Sequence, residues 1–386
     1  MKRIPFEIDV PNNIKLISKI FNDAGFNFLL VGGCVRDSVL ATNIKDWDLV
    51  TNAVPDEVER LLNATYNGIK FNTIPTGKQF GVINVFTSDN NEFEIATFRG
   101  DNYTNTENFD FRRPDSVTFG SIELDNKRRD LTINALYYDL STNEIIDFNN
   151  GMYDIKNKII RTVGKPMDRF NEDRLRILRA VRMACRFRFV FDESLKEVLM
   201  GQLTIDKVSN ERIRDEFLKT LKTAKNKRIA INILHKTGLL SQIFKGLDII
   251  INNNKEITYI GDMALIAYIL RNNDLNKLNK ILNLLSYSKD EVANISFLIS
   301  LQNFTKEDIL PFKKKLLNIK LKGLEIREFG LICKLNDKLL KNLINFNLTI
   351  NGDEVMKEFG LKGPELGAKI NELEVINFKK MFIHGK

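Results

Sequence analysis

Histidine, cysteine and tryptophan are nearly missing from this chain of 386 residues, which has 2 His, 3 Cys and 1 Trp. His235 and His384 stand far apart, which excludes mechanisms built on a histidine cluster, including those of His-rich metal hydrolases. Cys34, Cys185 and Cys333 are odd in number and form no Cys-x-x-Cys pair. Neither a disulfide framework nor a zinc site is expected. No apolar run is long enough to span a bilayer, so no membrane partner is expected. The opening MKRIPFEIDV has no apolar signal core, and a soluble cytoplasmic protein is the expectation. Two familiar nucleotide signatures are missing as well. The dinucleotide pattern GxGxxG does not occur. The Gly77-Lys78 pair is not a phosphate loop, because that would need glycine at 72 and a hydroxyl residue at 79, where Asn72 and Gln79 stand.

What is present is an ordinary globular mixture, 43% hydrophobic and 28% charged, with ample apolar material for a core. The net charge of +8 favours a polyanionic partner. The same Lys, Asn and Ile richness is also what an AT-rich genome produces. The length suggests two to four structural units.

Residues 12–25 place Ile14, Leu16, Ile17, Ile20 and Phe21 near helical spacing, with Gly25 at the end. FNFLLV (26–31) predicts a buried strand broken by Gly32-Gly33. CVRDSVLA predicts a short helix, WDLVT a second strand, and PDEVERLLNA (55–64) a helix with proline and acids in its first turn. FGVINVF and FEIATF predict paired strands. Beyond about 167 strand signals fade and Leu/Ile/Lys/Asn helices dominate. The expected architecture is an α/β head with a small mixed sheet followed by an all-α remainder. Boundaries are expected near 150, 225 and 310.

The stretch LLVGGCVRDSVLATNIKDWDLVT (29–51) carries the chemistry. A glycine turn after a strand lets backbone approach a phosphate, and a helix starting there offers amides to an anion. Arg36 adds a permanent planar charge. Asp46 and Asp48 stand two apart at the start of the next strand, where alternation puts them on one face. Two converging carboxylates call for a hard cation such as Mg²⁺, which leaves sites for water or phosphate oxygens. A bare DxD is otherwise a turn or a solvated pair, and Trp47 between them is expected to face the core.

GGCVRD followed by DWD resembles the nucleotidyltransferase head of class II tRNA nucleotidyltransferases, the CCA-adding family. EIATFR (94–99), RRPDSVTF (112–119), RRDLTINAL (128–136), DFNNGMYDIKNKIIRTVG (147–164), NEDRLRILRAVRMACRF (171–187) and SNERIRDEFLK (209–219) resemble further family segments, in family order. LTINGDEVMKEFGLKGPELGAKI (348–370) resembles the family's C-terminal segment more loosely. The resemblance implies a catalytic head at 1–149, a neck with base recognition at 150–225, a body at 226–310 and a tRNA-binding tail at 311–386. It implies template-independent addition of CCA to tRNA from CTP and ATP, with pyrophosphate released. It also implies site roles: Asp46 and Asp48 hold catalytic Mg²⁺, while Gly33, Arg36 and Arg129 hold the triphosphate. Asp130 helps organise sugar and template contacts. Asp173 and Arg176, read as neighbours on one helix, select the base, supported by Arg179 and Arg182. Glu94 either completes a carboxylate triad or pairs with Arg99. The base logic is chemical. A carboxylate only accepts and a guanidinium only donates, so the pair suits the amino donor and ring acceptor of C and A, and opposes U and G.

Poly(A) polymerases share the head, and enzymes that add only CC or only A are further alternatives. TGKQFGVINVF (76–86) resembles the tRNA enzymes' strand, with Phe80 where that family usually has histidine. The resemblance also implies that the CC-only type lacks part of the loop at 100–114, so the length of that segment argues against it. A non-enzymatic RNA-binding module would not need Asp46 and Asp48. The basic runs 219–228 and 311–322 are solvated helix faces or phosphate contacts.

Overall fold

A computed structural model of the chain describes residues 1–102, 116–201, 203–251, 255–348 and 350–380. Arg112, Arg113 and Pro114, most of segment 100–114, and His384 lie outside the described residues. The chain divides into two compact units, Met1–Lys225 with Lys236–Gln242, and Asn226–His235 with Ile243–Lys386. No described helix is long and apolar enough to cross a membrane.

The first unit is built on a sheet of nine described strands, more than the small sheet expected. The strands are β1 (Lys2–Pro5), β2 (Phe28–Val31), β3 (Asp48–Thr51), β4 (Thr65–Tyr66), β5 (Ile69–Gly77), β6 (Val82–Thr87) and β7 (Glu92–Thr97), then β8 (Arg99–Asn102) and β9 (Ser116–Phe119), which form a separate hairpin, and β10 (Leu136–Asp139) and β11 (Glu144–Asp147). The order is β1-β11-β10-β2-β3-β7-β6-β5-β4, mixed because β3 and β7 run parallel while the other pairs are antiparallel. Central β2 is buried along its whole length, which is why FLLV reads as an unbroken apolar run. β6 alternates buried and half-buried residues and so covers the core with one face.

Helices α1 (Asn12–Asp23), α2 (Gly33–Val39), α3 (Pro55–Leu62), α4 (Ile122–Lys127) and α5 (Gly151–Asn157) flank the sheet segments in sequence. The first helix ends where Gly25 adopts φ +81°, a conformation glycine takes without a Cβ penalty. α6 (Pro166–Glu172), α7 (Leu175–Phe187), α8 (Glu193–Met200) and α9 (Asn210–Thr223) follow, with a short parallel bridge between β12 (Ile159–Ile160) and β13 (Val190–Phe191). Leu178, Val181 and Cys185 of α7 are buried, as the helical spacing predicts, and α7 packs along α9. The second unit is helical throughout its described regular elements. Its helix Asp262–Leu270 is apolar all round and buried from Ala264 onward, as expected for a helix surrounded by others.

Candidate active site

The glycine turn lies at the C-terminal end of β2. Gly32 has φ +75°, and its N–H donates to the Leu136 carbonyl at 3.0 Å, tying the turn to β10. A Cβ on Gly32 would sit 3.5 Å from Arg129 Nη1 and 3.6 Å from Asp48 Oδ2, and one on Gly33 3.6 Å from the same carboxylate oxygen. These would be ordinary van der Waals contacts, so it is the positive φ of Gly32 rather than lack of space that calls for glycine, with Arg129 and Asp48 lying beside the turn. The Gly33 N–H is already hydrogen-bonded to Asp48.

A cavity of about 540 Å³ opens over this turn and is lined by Gly33, Arg36, Asp46, Asp48, Arg129, Asp130, Asp173, Arg176, Arg179 and Arg182. These are all the expected site residues except Glu94. A larger cavity of about 780 Å³ in the second unit, around Tyr268, Arg327 and Lys334, is lined by none of the expected site residues.

Asp48 is the first residue of β3, so Asp46 precedes the strand and strand alternation does not govern it. Both acids nonetheless face the cavity. Burial raises the Asp48 carboxyl above the ordinary aspartate range; Arg129 and the Gly33 amide pull it down, and Asp46 pushes it up again. Asp48 is nonetheless open to solvent by its surface area. An oxygen-only donor pair, one member of which is costly to ionise, fits a hard divalent cation that takes one or two protein carboxylates. Glu94 pairs with Asp48 in the parallel register of β3 and β7, but it is exposed and does not line the cavity. No three His, Cys, Asp or Glu side chains converge on a metal position among the described residues. The expected pairing of Glu94 with Arg99 is not formed either, because Arg99 binds Asp101 at 3.0 Å. Trp47 is half-buried rather than part of the core.

The arginines are held by an extensive set of acids. Arg129 grips Asp125 with Nε at 3.0 Å and Nη2 at 2.8 Å, and Nε also donates to the Tyr137 hydroxyl at 3.0 Å. That leaves Nη1 toward Gly32. Burial opposes the charge on Arg129, but Asp125 and Tyr137 more than offset it and hold the guanidinium firmly protonated. Burial likewise raises Asp125, yet Arg129 and Arg128 bring its carboxyl down to about 2. Arg36 is only 4% exposed, and it bonds Asp37 at 2.8 Å as well as Asn134. Its donors are largely used inside the protein, so it supplies charge and shape more than a free hand for phosphate.

Asp130 is also satisfied within the protein. Its Oδ2 accepts from Arg179 Nε at 2.6 Å and its Oδ1 accepts from the Leu131 N–H at 2.8 Å. Burial would raise it, but Arg179 and Asn134 hold it well below the usual carboxylate range. Arg182 donates to Glu216 of α9 at 2.7 Å, and Arg186 to Asp37 at 2.9 Å. α7 is thus tied to RRDLTINAL (128–136), the second motif after the glycine turn and its acid pair, to α9 and to α2 through successive arginines.

Asp173 and Arg176 are neighbours, the Arg176 N–H donating to the Asp173 carbonyl at 3.0 Å, but they do not share one helix. Asp173 ends α6 in an extended conformation (φ −150°, ψ 108°), and α7 starts at Leu175. Asp173 Oδ2 accepts from Arg212 at 2.9 Å and Oδ1 from the Leu175 N–H at 3.0 Å. Arg176 donates to Glu172, to the Arg128 carbonyl at 2.8 Å and to the Arg169 carbonyl at 3.3 Å. Each residue of the pair has its own anchor. Sequence reasoning did not single out Asp37, Asp125, Asn134, Tyr137, Arg186, Arg212 or Glu216, which build this network.

Residues 28–161 match the family described as Poly A polymerase head domain, and residues 200–250 the one described as Probable RNA and SrmB- binding site of polymerase A. The chain is 40% identical over 229 residues to a CCA-adding enzyme of Bacillus subtilis, an alignment covering 59% of this chain and 54% of the relative. It thus spans about half the length of that relative and of several like it. To a CCA-adding enzyme of Ligilactobacillus salivarius it is 31% identical over 415 aligned residues, covering 97% of this chain and 96% of the relative. Among solved structures, the Bacillus stearothermophilus CCA-adding enzyme in complex with CTP superposes with a TM-score of 0.68 at 23% identity, over 95% of this chain and 92% of that one. The Thermotoga maritima CCA-adding enzyme complexed with tRNA-CCA superposes with a TM-score of 0.70 at 20% identity, over 100% and 97%. At that identity the superpositions speak for the fold, while the nearly full-length relationship settles the membership: this chain belongs to the family of CCA-adding enzymes.

Proposed function

We propose that this protein adds CCA to the 3′ end of tRNA from CTP and ATP, with no nucleic-acid template and with release of pyrophosphate. The observation that carries the reading is one cavity in which an acid pair, a glycine turn facing Arg129, and an Asp/Arg wall from the α6–α7 region meet. In the reaction the terminal ribose hydroxyl oxygen bonds to the α-phosphorus. The bond from that phosphorus to the bridging oxygen breaks, pyrophosphate leaves with the electron pair, and the hydroxyl proton passes to solvent.

Nucleotidyltransferases generally use a divalent metal. We assign Mg²⁺ to Asp46 and Asp48; Glu94, across the strand pair from Asp48 but outside the cavity, would have to swing in to join them. Held by these carboxylates, a divalent ion would supply Lewis acidity that lowers the pKa of the attacking hydroxyl and offsets charge on the departing phosphates. The chain's own groups do the rest. Arg129 Nη1 receives the triphosphate beside the turn at Gly32–Gly33, where no side chain at Gly33 stands in the way, and Arg36 adds buried positive charge behind it. Asp130 holds Arg179 at the cavity wall, and Arg182 supports the same wall from Glu216.

The base is read by Asp173 and Arg176. Asp173 keeps lone pairs beyond those used by Arg212 and Leu175, so it can accept an amino group. Arg176 donates to the ring acceptor while its other donors stay on Glu172 and on backbone carbonyls. C and A share this donor–acceptor order, and a base of the opposite order leaves buried groups unpaired. The four-part division at 149, 225 and 310, the tRNA-binding role of the basic helical half, and a cytoplasmic setting belong to the same reading.

The test is incubation with labelled CTP and ATP and a tRNA that stops at the discriminator base. Growth by C, C and A and then arrest is expected. Long A tails, arrest after CC, or addition only to a tRNA already ending in CC would each replace this reading with the corresponding alternative. Absence of all incorporation would remove the enzymatic reading.

A further inference from the structure

Tyr137 sits in the apolar core of the head with 0% exposure, packed with Leu29, Val31 and Phe98. A phenylalanine would fill the same space, so the hydroxyl needs a separate reason. It donates to Asp125 Oδ2 at 2.7 Å and accepts from Arg129 Nε at 3.0 Å. The Arg129 guanidinium also lies over the ring, 5.1 Å from its centroid. Burial raises the tyrosine above its ordinary value, so the proton needed for the donation stays in place.

The strand that carries Tyr137 also carries the turn. The Leu136 carbonyl accepts from the Gly32 N–H, and Tyr137 pairs in register with Val31, the last residue of β2. Two successive residues of β10 therefore fix the two halves of the phosphate site. Leu136 fixes the backbone turn, and Tyr137 fixes the cation that faces it. Asp125 completes the clamp by gripping the Nε–Nη2 edge, which directs Nη1 at Gly32. A flexible arginine side chain loses rotamer freedom when it binds an anion, and a guanidinium already locked from behind loses less.

We propose that Tyr137, with Asp125, is a positioning residue for the triphosphate: it holds Arg129 with Nη1 aimed at the glycine turn. The inference rests on the nucleotidyl-transfer reading for the ligand, and on the network alone for the geometry. Tyr137→Phe removes the hydroxyl and leaves the packing. It is expected to weaken binding of CTP, ATP and free pyrophosphate by a common factor of roughly ten, as for one hydrogen bond to a charged group. The three ligands share only their phosphates. Affinity for tRNA and the ratio of kcat/KM for CTP to that for UTP stay as in the wild type. In an Arg129→Ala background Tyr137→Phe has no further effect on CTP affinity, because the group it positions is gone.

Nucleotide and pyrophosphate affinities are measured by calorimetry on the full chain, independently of turnover. Wild-type protein that binds CTP yet adds nothing to tRNA would sink the functional reading and still leave the Tyr137 comparison valid. CTP affinity unchanged in Tyr137→Phe would overturn the proposal. So would a loss for CTP without an equal loss for pyrophosphate, or an undiminished loss in the Arg129→Ala background. If Tyr137→Phe fails to fold, the same comparison is made with Asp125→Asn, which keeps the tyrosine and weakens the other arm of the clamp.

Discussion

Replacing Asp130 by asparagine isolates the charge that ties the second motif to α7. Oδ1 of Asp130 accepts from Leu131 at 2.8 Å and from Asn134 at 3.2 Å, and an asparagine oxygen can keep both bonds. Its amide nitrogen would then face Arg179 Nε, now 2.6 Å from the carboxylate, placing donor against donor. The change removes one charge-assisted hydrogen bond, worth about 1.5–3 kcal/mol. Breaking a fully buried pair costs more, but the Arg179 side chain is 37% exposed and water takes up part of the stranded charge. About 2 kcal/mol is the resulting expectation. In a unit of this size each kcal/mol moves Tm by about 2–4 °C, so the first unit should melt about 4–8 °C lower.

The pH dependence has a definite sign. Asp130 is held below its unfolded value by Arg179, so its stabilisation is present at pH above the unfolded aspartate pKa of about 3.9 and fades only as pH falls through the lower folded value. Calorimetric melting of wild type and Asp130→Asn between about pH 5 and 8 should show a constant gap. A gap under about 1 °C would refute the energetic reasoning. A gap that opens or closes within that range would assign the effect to a different titrating group.

Three further outcomes are expected. Asp48 is ionised at a cost because burial raises its pKa, so Asp48→Asn should raise the Tm of chelator-treated protein, abolish addition and remove the Tm increase that Mg²⁺ gives; a variant still adding nucleotides with Mg²⁺ alone would refute the assignment. Affinity for tRNA should fall steeply with salt through counterion release, and a flat dependence would count against backbone recognition by the basic helical half. Asp173→Ala should lower the kcat/KM ratio of CTP over UTP by roughly ten- to a hundredfold, and Arg212→Ala, which removes the 2.9 Å bond that anchors Asp173 but leaves its carboxylate, should lower it less; an unchanged ratio in both would end the base-reading role.

The turn, the acid pair and the elements around them were legible because their signals are local. Strand β2 is an apolar run, Gly32 must take a positive φ, and α3 carries its proline and acids at the first turn. What was misread shows where local reasoning stops. The run NEDRLRILRAVR has helical spacing throughout, yet the chain leaves the helix at Asp173 and re-enters at Leu175. A signal for that break was available. Aspartate just before an apolar run favours satisfying an exposed helix-start N–H, and Asp173 Oδ1 does bond the Leu175 N–H. The partners of the arginines had no such signal. Arg212 meets Asp173 across 39 residues, Arg179 meets Asp130 across 49, and Arg186 meets Asp37 across 149. Any of the carboxylates could satisfy any of these guanidiniums chemically, so charge alone does not choose among pairings. Packing chooses. The burial of Leu178, Val181 and Cys185 fixes the rotation of α7 about its axis, and that rotation decides which acid each arginine can reach. A substitution that rotates α7 without touching a charge would therefore rewrite the cavity wall as surely as removing an arginine.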